Sequence, residues 1–365
     1  MAMDILHVVG ARPNFMKAAP VMRALARRDT VRQTFVHTGQ HYDSNMSEVF
    51  FEELGLPEPD ANLGVGSGSH ARQTAEIMTR FEPVVMARKP DLVLVYGDVN
   101  STIAAALVCT KLLVPVGHVE AGLRSRDRTM PEEINRVLTD QIADLLFTPS
   151  ADGDENLLRE GVAREKIHLV GNVMIDTLVW LLPKASEQYE SRRSTFNFPQ
   201  YGLVTLHRPS NVDDLATLKK LMSALRDISS QLPLIFPVHP RTRERLEALG
   251  LAMRDSQVHL VDPLCYLDFL ALQSHASFVI TDSGGIQEET TYLDVPCLTL
   301  RENTERPITV TMGTNIVIGQ DMERLRAEVG RILNGERKEG QVPPLWDGKA
   351  GERIAEVVVS WGCLA

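Results

Sequence analysis

The chain has 365 residues, of which 44% are hydrophobic and 24% are charged, and its formal net charge at pH 7 is -10. This length predicts two domains, and the acidic balance argues against a broad nucleic-acid-binding surface, while leaving room for a local basic phosphate pocket. The sequence contains no apolar run of about 18 residues, which argues against a membrane span.

The four cysteines are widely separated along the chain. Their spacing matches neither a zinc site nor a redox motif, so we expect free thiols in a reducing cytoplasm and no bound metal. The first residues include Asp4 and lead straight into a polar turn, which favours a first strand over a signal peptide. These features predict a cytoplasmic protein.

Short apolar runs alternate with amphipathic stretches through the first half of the chain. The β-branched residues of the runs, and the Gly, Pro and Asp residues that close them, favour buried parallel strands joined by helices. The predicted strands are Ile5–Val9, Leu92–Tyr96, Val114–Val119 and Leu145–Thr148, and the predicted helices include Asn14–Arg28, Ala71–Arg88 and Glu132–Leu145.

The alternation pauses around residues 183–201, which are polar and lack a clear apolar stripe, and a second series then begins. Its predicted strands are Leu203–Leu206, Leu234–Val238, Phe278–Thr281 and Cys297–Leu300. The sequence therefore predicts an α/β protein of two doubly wound domains. We place the first domain at residues 1–172, a linker region at 173–200, the second domain at 201–346 and a final helical segment at 347–365.

In doubly wound sheets, ligands collect beyond the carboxyl ends of the strands, so the residues after each predicted strand are candidates for a site. Arg12 follows the first strand and Lys17 lies one turn into the next helix, where both could face an anion or simply be solvated. Asp98 and Glu120 follow two later strands. No Gly-x-Gly-x-x-Gly fingerprint follows the first strand, so a standard dinucleotide site is not predicted.

Asp98, Glu120 and Glu132 place three carboxylates at strand ends and at a helix start, where they could act as general acid and base. Asp98 could instead form an Asx-turn, and Thr129 with Glu132 fits a capping box at a helix that starts near Pro131. Glu120 is harder to explain by structure alone, because an idle charge is costly at the end of a buried strand.

The second half repeats this arrangement. His207 follows a strand, where it could act as an acid, a base or a phosphate donor, or simply be hydrogen-bonded. The segment Ser283–Gly285 opens a helix, and its two glycines would bring backbone N–H groups close to a phosphate. Glu289 could accept hydrogen bonds from ribose hydroxyls, and Arg306 or Arg301 would lie near the same pocket. Together, the acids of the first half and the anion-binding residues of the second half predict a site for a nucleotide sugar.

Taken in order, the motifs resemble those of the non-hydrolysing UDP-N-acetylglucosamine (UDP-GlcNAc) 2-epimerases over most of the chain. The motifs that carry the resemblance are Gly10-Ala-Arg12-Pro13, Thr38-Gly-Gln40-His41, Tyr96-Gly-Asp98, His118-Val-Glu120-Ala-Gly-Leu-Arg124, Pro131-Glu132-Glu-Ile-Asn-Arg136, Thr205-Leu-His207-Arg208, Thr281-Asp-Ser283-Gly284-Gly285-Ile-Gln-Glu-Glu289 and Thr304-Glu305-Arg306-Pro307.

The resemblance implies a GT-B-like fold of two Rossmann-like domains, with the active site in the interdomain cleft and the last helix returning to the first domain. By position, it implies a catalytic set of Asp98, Glu120, Glu132 and His207. The further substrate contacts that it implies are Arg12, Lys17, Phe269, Ser283, Gly284, Gly285, Glu289 and Arg306.

The resemblance also implies a reaction, the interconversion of UDP-GlcNAc and UDP-ManNAc at sugar carbon 2 through elimination of UDP, a 2-acetamidoglucal intermediate and re-addition. No cofactor is needed, and a homodimer is expected. The alternatives are a hydrolysing 2-epimerase, an epimerase for a diacetamido-uronate UDP-sugar, a GT-B glycosyltransferase and a non-catalytic nucleotide-sugar binding module. Three acids at strand ends argue against the last, because a pure diphosphate binder gains nothing from negative charge there.

Many bacterial members of the family are activated by UDP-GlcNAc bound beside the substrate. Gln40, His41, Arg72 and Gln73 match part of that second site, whereas Tyr42 does not match its usual neighbour. The resemblance therefore implies activation of this chain by UDP-GlcNAc. The loop after His207 also departs from the pattern of some members, so its details do not carry over.

Overall fold

The computed structural model of the chain describes residues 2–39, 51, 53–196, 198–238, 240–251, 253 and 256–363. The chain divides into two units: the first is Met1–Thr177 together with Pro344–Ala365, and the second is Leu178–Pro343. Within the described ranges, each unit is built on one parallel sheet with helices around it. This architecture confirms the predicted α/β fold of two doubly wound domains.

The first unit contains a seven-stranded sheet in the order β3-β2-β1-β4-β5-β6-β7. The strand order reverses between β1 and β4, and such a switch point opens a crevice at the carboxyl ends of the strands. Strand β5 lies beside β4, with Val119 opposite Tyr96. The strands are β1 (Met3–Val9), β2 (Val31–His37), β3 (Ala61–Asn62), β4 (Leu92–Tyr96), β5 (Val116–Val119), β6 (Leu145–Thr148) and β7 (Ile167–Leu169).

The helices of the first unit bury small and apolar residues against this sheet. Helix α3 is buried over most of its length, and the small side chains of Ala104, Ala105 and Ala106 let it pack closely between α2 and α4. The helices are α1 (Arg12–Leu25), α2 (His70–Arg88), α3 (Asn100–Lys111), α4 (Pro131–Ile142), α5 (Ala151–Arg159), α6 (Val173–Phe196, which continues into the second unit) and α14 (Ala350–Gly362).

The second unit contains a six-stranded sheet in the order β10-β9-β8-β11-β12-β13. Its core includes Val204, Phe278 and Leu298, which are buried completely. The strands are β8 (Gly202–Thr205), β9 (Leu234–Pro237), β10 (Val258–Val261), β11 (Phe278–Thr281), β12 (Cys297–Thr299) and β13 (Asn315–Val317). The helices that begin in this unit are α7 (Pro209–Val212), α8 (Leu215–Ser229), α9 (Pro240–Ala248), α10 (Tyr266–Gln273), α11 (Gly284–Tyr292), α12 (Pro307–Thr311) and α13 (Met322–Leu333).

The stretch 173–200, predicted as a linker region, contains helix α6. Its first turns carry the buried residues Ile175 and Leu178, and the Thr177 hydroxyl donates to the Met16 carbonyl at 2.6 Å. Asp176 accepts from the backbone N–H groups of the first two residues of α14, at 3.0 and 2.7 Å. These hydrogen bonds hold the C-terminal helix on the first unit. Among the described residues, no helix has the length and apolar character that crossing a membrane requires.

Candidate active site

The carboxyl ends of β4 and β5 bring Asp98 and Glu120 to one edge of the first sheet. Gly97, between β4 and Asp98, has φ +64°, and a Cβ there would lie 2.6 Å from Lys17 Nζ and 3.2 Å from Glu120 Oε2. Glycine suits this position, because a side chain would be strained at this φ and would displace the ends of Lys17 and Glu120. Lys17 and two of the predicted acids therefore meet around one turn.

Glu120 is buried, with 4% of its surface exposed, and one of its carboxylate oxygens forms an ion pair with the buried ammonium group of Lys17. The backbone of Glu120 has φ +73°, in the left-handed region that glutamate rarely adopts. Such a conformation costs about 1–3 kcal/mol and persists where the surrounding structure fixes it, often at functional sites. A strained, buried acid beside a buried cation fits a chemical role better than a structural one.

Asp98 is partly accessible, with 20% of its side chain exposed, and its carboxylate forms an ion pair with Arg136. The side chain of Asn135 donates to the Asp98 carbonyl at 2.9 Å. Both partners lie on helix α4, so the start of this helix fixes the backbone and the side chain of Asp98. The Arg136 cation favours the ionised form of the carboxylate.

The structure does not contain the capping box that was the alternative role for Thr129 and Glu132. Helix α4 begins at Pro131 with Met130 as its N-cap, and the side chain of Met130 makes no capping hydrogen bond. The backbone N–H and hydroxyl of Thr129 instead donate to Asp127, at 2.9 and 2.6 Å. Glu132 lies half-buried on the first turn of α4, and its catalytic role stays a prediction.

Glu133, the neighbour of Glu132, is a structural acid that the sequence analysis did not single out. Its carboxylate accepts from the backbone N–H groups of Ser125 and Arg126, both at 2.9 Å, and pairs with Arg136 at 2.9 Å. Glu133 therefore fixes the loop after β5 and also holds the guanidinium group that binds Asp98. Because Glu132 and Glu133 are adjacent at a helix start, the sequence alone does not show which of them has the structural role.

The turn after β1 is held by Asn14, whose side-chain oxygen accepts from the backbone of Gly10 and Ala11 at 3.2 and 3.0 Å. The side-chain nitrogen of Asn14 donates to the Tyr96 carbonyl at 2.7 Å, which links this turn to the end of β4. Arg12 is the first residue of α1 and is half-buried on the same turn. The structure thus places Arg12 and Lys17 on the helix that contributes to the Glu120 ion pair.

Part of the predicted second site lies in the described residues. The amide nitrogen of Gln73 donates to the Gly66 carbonyl at 2.8 Å, and its oxygen accepts from Asn100 at 2.7 Å. Arg72 is mostly exposed and pairs with Glu76, at 2.7 Å, on the surface of α2. Gln40 and His41 lie outside the described residues.

Gln73 is connected to Asp98 by a chain of hydrogen bonds. Asn100, which donates to Gln73, accepts from the Asn135 side chain at 3.2 Å, and that same nitrogen donates to the Asp98 carbonyl. Three side chains on three helices thus link the second-site candidate to the turn that carries a candidate catalytic acid.

In the second unit, the predicted phosphate loop lies at the start of helix α11. Ser283 is the N-cap residue and its side chain makes no capping hydrogen bond. A Cβ on Gly284 would lie 2.4 Å from a terminal nitrogen of Arg306, so this glycine lets the guanidinium group lie against the helix N-terminus. Backbone N–H groups, the helix dipole and a cation together suit an anion.

Arg306 belongs to a buried cluster of charges. It pairs with Glu288 at 2.9 Å and with Glu305 at 3.2 Å, while Arg301 pairs with Glu305 at 2.7 Å and Arg208 lies 3.9 Å from the same carboxylate. Three guanidinium groups thus face two carboxylates beside the start of α11. Guanidinium groups form the paired hydrogen bonds that a diphosphate accepts.

His207 is oriented by Asp282, because its Nδ1 lies 3.0 Å from Asp282 Oδ1. The same carboxylate accepts from the backbone of Arg208 and the side chain of Asn211, both at 3.0 Å. Burial raises the pKa of Asp282, but the hydrogen bonds from His207 and Asn211 outweigh it and hold this pKa below its usual value. The ionised Asp282 fixes the ring of His207, whose other nitrogen can face a ligand.

Glu289 lies on α11 and is buried, and burial raises its pKa to about 7. The Tyr266 hydroxyl donates to Glu289 Oε1 at 2.9 Å. Phe269, one turn along α10 from Tyr266, is half-buried and packs against the cluster that contains Leu203. The structure therefore brings Glu289 and the helix of Phe269 together in the second unit.

The comparison with protein families gives a match to UDP-N-acetylglucosamine 2-epimerase over residues 23–359. The chain belongs to the UDP-N-acetylglucosamine 2-epimerase family. This confirms the resemblance predicted from the motifs.

Similar proteins match this family member over almost their whole length. A UDP-N-acetylglucosamine 2-epimerase of Methanocaldococcus jannaschii is 44% identical, covering 98% of this chain and 99% of the relative. The crystal structure of the M. jannaschii UDP-GlcNAc 2-epimerase in complex with UDP-GlcNAc and UDP superposes with a TM-score of 0.90, covering 98% of this chain and 100% of that one. This similarity confirms the predicted GT-B-like class.

A UDP-2,3-diacetamido-2,3-dideoxy-D-glucuronate 2-epimerase of Pseudomonas aeruginosa is 42% identical, covering 97% of this chain and 99% of the relative. The two relatives differ by two percentage points in identity and act on different UDP-sugars by name. Overall identity therefore does not decide between these substrates.

Proposed function

We propose that this chain interconverts UDP-GlcNAc and UDP-ManNAc by reversible epimerisation at carbon 2, without net hydrolysis. The observation that carries the proposal is the pair Asp98 and Glu120 at adjacent strand ends, with Glu120 buried against Lys17 in a strained backbone conformation. Burial of a charged Glu120 and its strained backbone both lower stability, and the fold would have no reason to keep them if Glu120 had no chemical role.

The proton on carbon 2 is not acidic, because no carbonyl group is adjacent to it. In the proposed route, a base removes this proton while the anomeric C–O bond to UDP breaks, which forms a carbon 1–carbon 2 double bond in 2-acetamidoglucal. UDP then adds back to carbon 1, and carbon 2 receives a proton on its opposite face. The route needs a base and an acid on opposite faces, and no redox cofactor.

The first unit would supply the proton transfers. We assign them to two of the three acids Asp98, Glu120 and Glu132, and we include His207 in the proposed catalytic set. Lys17 pairs with Glu120, and Arg136 pairs with Asp98. The acid that removes the proton from carbon 2 must be ionised beforehand, and the acid that returns a proton to the opposite face must carry one. Arg12, on the turn beside Lys17, would contact the substrate.

The second unit would hold UDP, which is both the leaving group and the returning nucleophile. Arg306 and the backbone amides of Ser283, Gly284 and Gly285 would stabilise the diphosphate as negative charge develops on it. Glu289 would accept hydrogen bonds from the ribose hydroxyls, and Phe269 would provide an apolar contact for the nucleotide. His207, fixed by Asp282, would contact the leaving UDP.

We also propose that UDP-GlcNAc activates the enzyme at a second site that includes Gln40, His41, Arg72 and Gln73. The support is the hydrogen-bond chain from Gln73 through Asn100 and Asn135 to the carbonyl of Asp98. A ligand that takes the Gln73 amide would alter this chain. A reaction that starts from UDP-ManNAc should then show a lag, and added UDP-GlcNAc should abolish it.

The second candidate substrate is the diacetamido-uronate UDP-sugar, because the similar Pseudomonas protein is by name an epimerase for that sugar. A uronate would need one more cation than UDP-GlcNAc does. Parallel assays with both UDP-sugars decide this point, and we expect turnover of UDP-GlcNAc.

Product analysis tests the proposed function. Incubation with UDP-GlcNAc alone should yield UDP-ManNAc at equilibrium with the substrate, with no accumulation of free UDP. Stoichiometric UDP and free ManNAc would instead establish a hydrolysing enzyme, and the absence of any product without an acceptor would favour a glycosyltransferase. Light scattering of the same sample would test the expected homodimer.

A further inference from the structure

His118 lies on strand β5 and is buried completely. Its Nε2 atom lies 2.8 Å from the carbonyl oxygen of Gly97, and its Nδ1 atom lies 2.7 Å from Asp140 Oδ1 on helix α4. The ring therefore bridges the end of strand β4 to helix α4, directly beneath the turn that carries Asp98. His118 belongs neither to the proposed catalytic set nor to the proposed substrate contacts.

The chemistry of the two partners fixes where the protons of the ring must be. A carbonyl oxygen can only accept, so Nε2 must donate to Gly97. Asp140 Oδ2 accepts from the Gly122 backbone at 3.1 Å and pairs with Arg124 at 2.7 Å, as an ionised carboxylate does.

Asp140 Oδ1 is therefore an acceptor as well, and Nδ1 must also donate. We propose that His118 is a positioning residue held as an imidazolium, which fixes the turns that carry Asp98 and Glu120 through hydrogen bonds to Gly97 and Asp140. This inference rests on the proposed role of the two acids in the carbon 2 proton transfers.

The charges around the ring are consistent with a buried cation. Asp140 faces it from α4, and Arg124 reaches Asp140 from the loop after β5 while also pairing with Glu160, at 2.6 Å. On the other side of Gly97 lie Lys17 and Glu120, which neutralise each other. The ionised Asp140 is thus the counter-ion of His118, and a neutral ring would turn a lone pair towards one of its two acceptors.

The hydrogen bonds of His118 and Asp140 fix the positions of the turns that carry Asp98 and Glu120. Gly97 precedes Asp98 in the chain, and Gly122, held by Asp140, comes two residues after Glu120. A displacement of about 1 Å in a reacting group can cost about 10²-fold in rate. Because His118 would not contact the substrate, its loss should lower kcat about 10²-fold and leave KM and the affinity for UDP nearly unchanged.

The protonation state can be measured directly on the whole enzyme by NMR of ¹⁵N-histidine-labelled protein. His118 should show two ring N–H groups at pH 7. His7, on strand β1 of the same sheet, provides an internal reference, because it is equally buried but burial lowers its pKa to about 4, so it stays neutral at pH 7. A single ring N–H on His118 would overturn the proposal, whatever the activity.

The kinetic test uses His118→Gln, with His7→Gln as the matched buried control. A glutamine amide has one donating and one accepting end, so it cannot donate to both Gly97 and Asp140. We expect the loss of kcat only in His118→Gln, and a folded His118→Gln enzyme with wild-type kcat would refute the positioning role.

If His118→Gln does not fold, Asp140→Asn serves instead. Its amide nitrogen would face Nδ1 and convert His118 to a neutral ring, which the same spectra would record. A ring that stays doubly protonated in Asp140→Asn would contradict the assignment of Asp140 as counter-ion. Failure of the proposed function would appear separately, as a wild-type enzyme that forms no UDP-ManNAc while its His118 spectrum is as expected.

Discussion

Glu289→Gln should stabilise the enzyme at high pH and weaken its binding of UDP. Burial raises the pKa of Glu289 to about 7 in the folded protein. In the unfolded chain the group titrates near its ordinary pKa of about 4.3, so the folded state holds the proton more tightly. Ionisation of Glu289 therefore costs stability as the pH rises from about 4.3 to about 7, by roughly 4 kcal/mol in total at about 1.4 kcal/mol per pKa unit.

Glutamine has almost the same shape, still accepts from Tyr266 and carries no charge. In urea unfolding without UDP, we expect the free energy of unfolding of Glu289→Gln to exceed that of the wild type by roughly 4 kcal/mol at pH 8.5. At pH 5.5, where the folded wild type keeps its proton, the difference should shrink to about 1.5 kcal/mol. The exposed Glu247→Gln removes an equal charge from the same unit and should change neither value.

Glu289→Gln should lower the affinity for UDP, although it raises the free energy of unfolding. A hydrogen bond to a charged acceptor contributes about 1.5–3 kcal/mol, so loss of the carboxylate should raise the Kd for UDP about 10- to 100-fold in calorimetry at pH 8.5. A Glu289→Gln enzyme that is less stable than the wild type, or whose stability difference does not depend on pH, would refute the assignment of a costly buried charge. Unchanged UDP binding would refute the ribose contact.

Three further predictions concern the acids, the buried cation and the diphosphate contact. Asp98→Asn and Glu120→Gln should each lower kcat at least about 10³-fold while the Kd for UDP stays within about threefold, measured by an NMR rate assay and calorimetry. Lys17→Met should abolish turnover and lower the free energy of unfolding by about 3–5 kcal/mol, because it leaves the Glu120 charge buried and unpaired; adding Glu120→Gln should recover most of that stability. Arg306→Lys should raise the Kd for UDP about 10-fold or more, because an ammonium group cannot reproduce the planar contacts of a guanidinium group.

Each of these has a contradicting outcome. Full activity in both acid variants would remove the proton-transfer assignment. A Lys17→Met protein as stable as the wild type would mean that Glu120 is not charged against Lys17. Wild-type UDP binding by Arg306→Lys would place the diphosphate elsewhere.

Much of the site could be predicted because parallel sheets put strand ends at one edge. Asp98 and Glu120 follow β4 and β5, which pair in the sheet, so proximity in space follows from the strand pattern. Ser283 to Gly285 open α11, as the two glycines indicated. The extent of α6 could not be predicted, since its polar second half hides the buried residues of its first turns.

The remaining site residues could not be found from local patterns, because their partners are distant in the chain. His118 and Asp140 are 22 residues apart, and Asp282 lies 75 residues from His207. Glu133 and Glu132 are neighbours with the same chemistry, and only the helix start at Pro131 decides which one turns towards Ser125. Gly10 shows the same limit: a Cβ there would lie 2.0 Å from Ser101 Oγ, a contact that no local pattern indicates.

Proton NMR that follows the hydrogen on carbon 2 during turnover of UDP-GlcNAc in heavy water tests the proposed reaction most directly. We expect UDP-ManNAc that carries deuterium at carbon 2, and no such exchange in Glu120→Gln. Product formed with the original hydrogen retained at carbon 2 would contradict a proton-transfer mechanism at these acids.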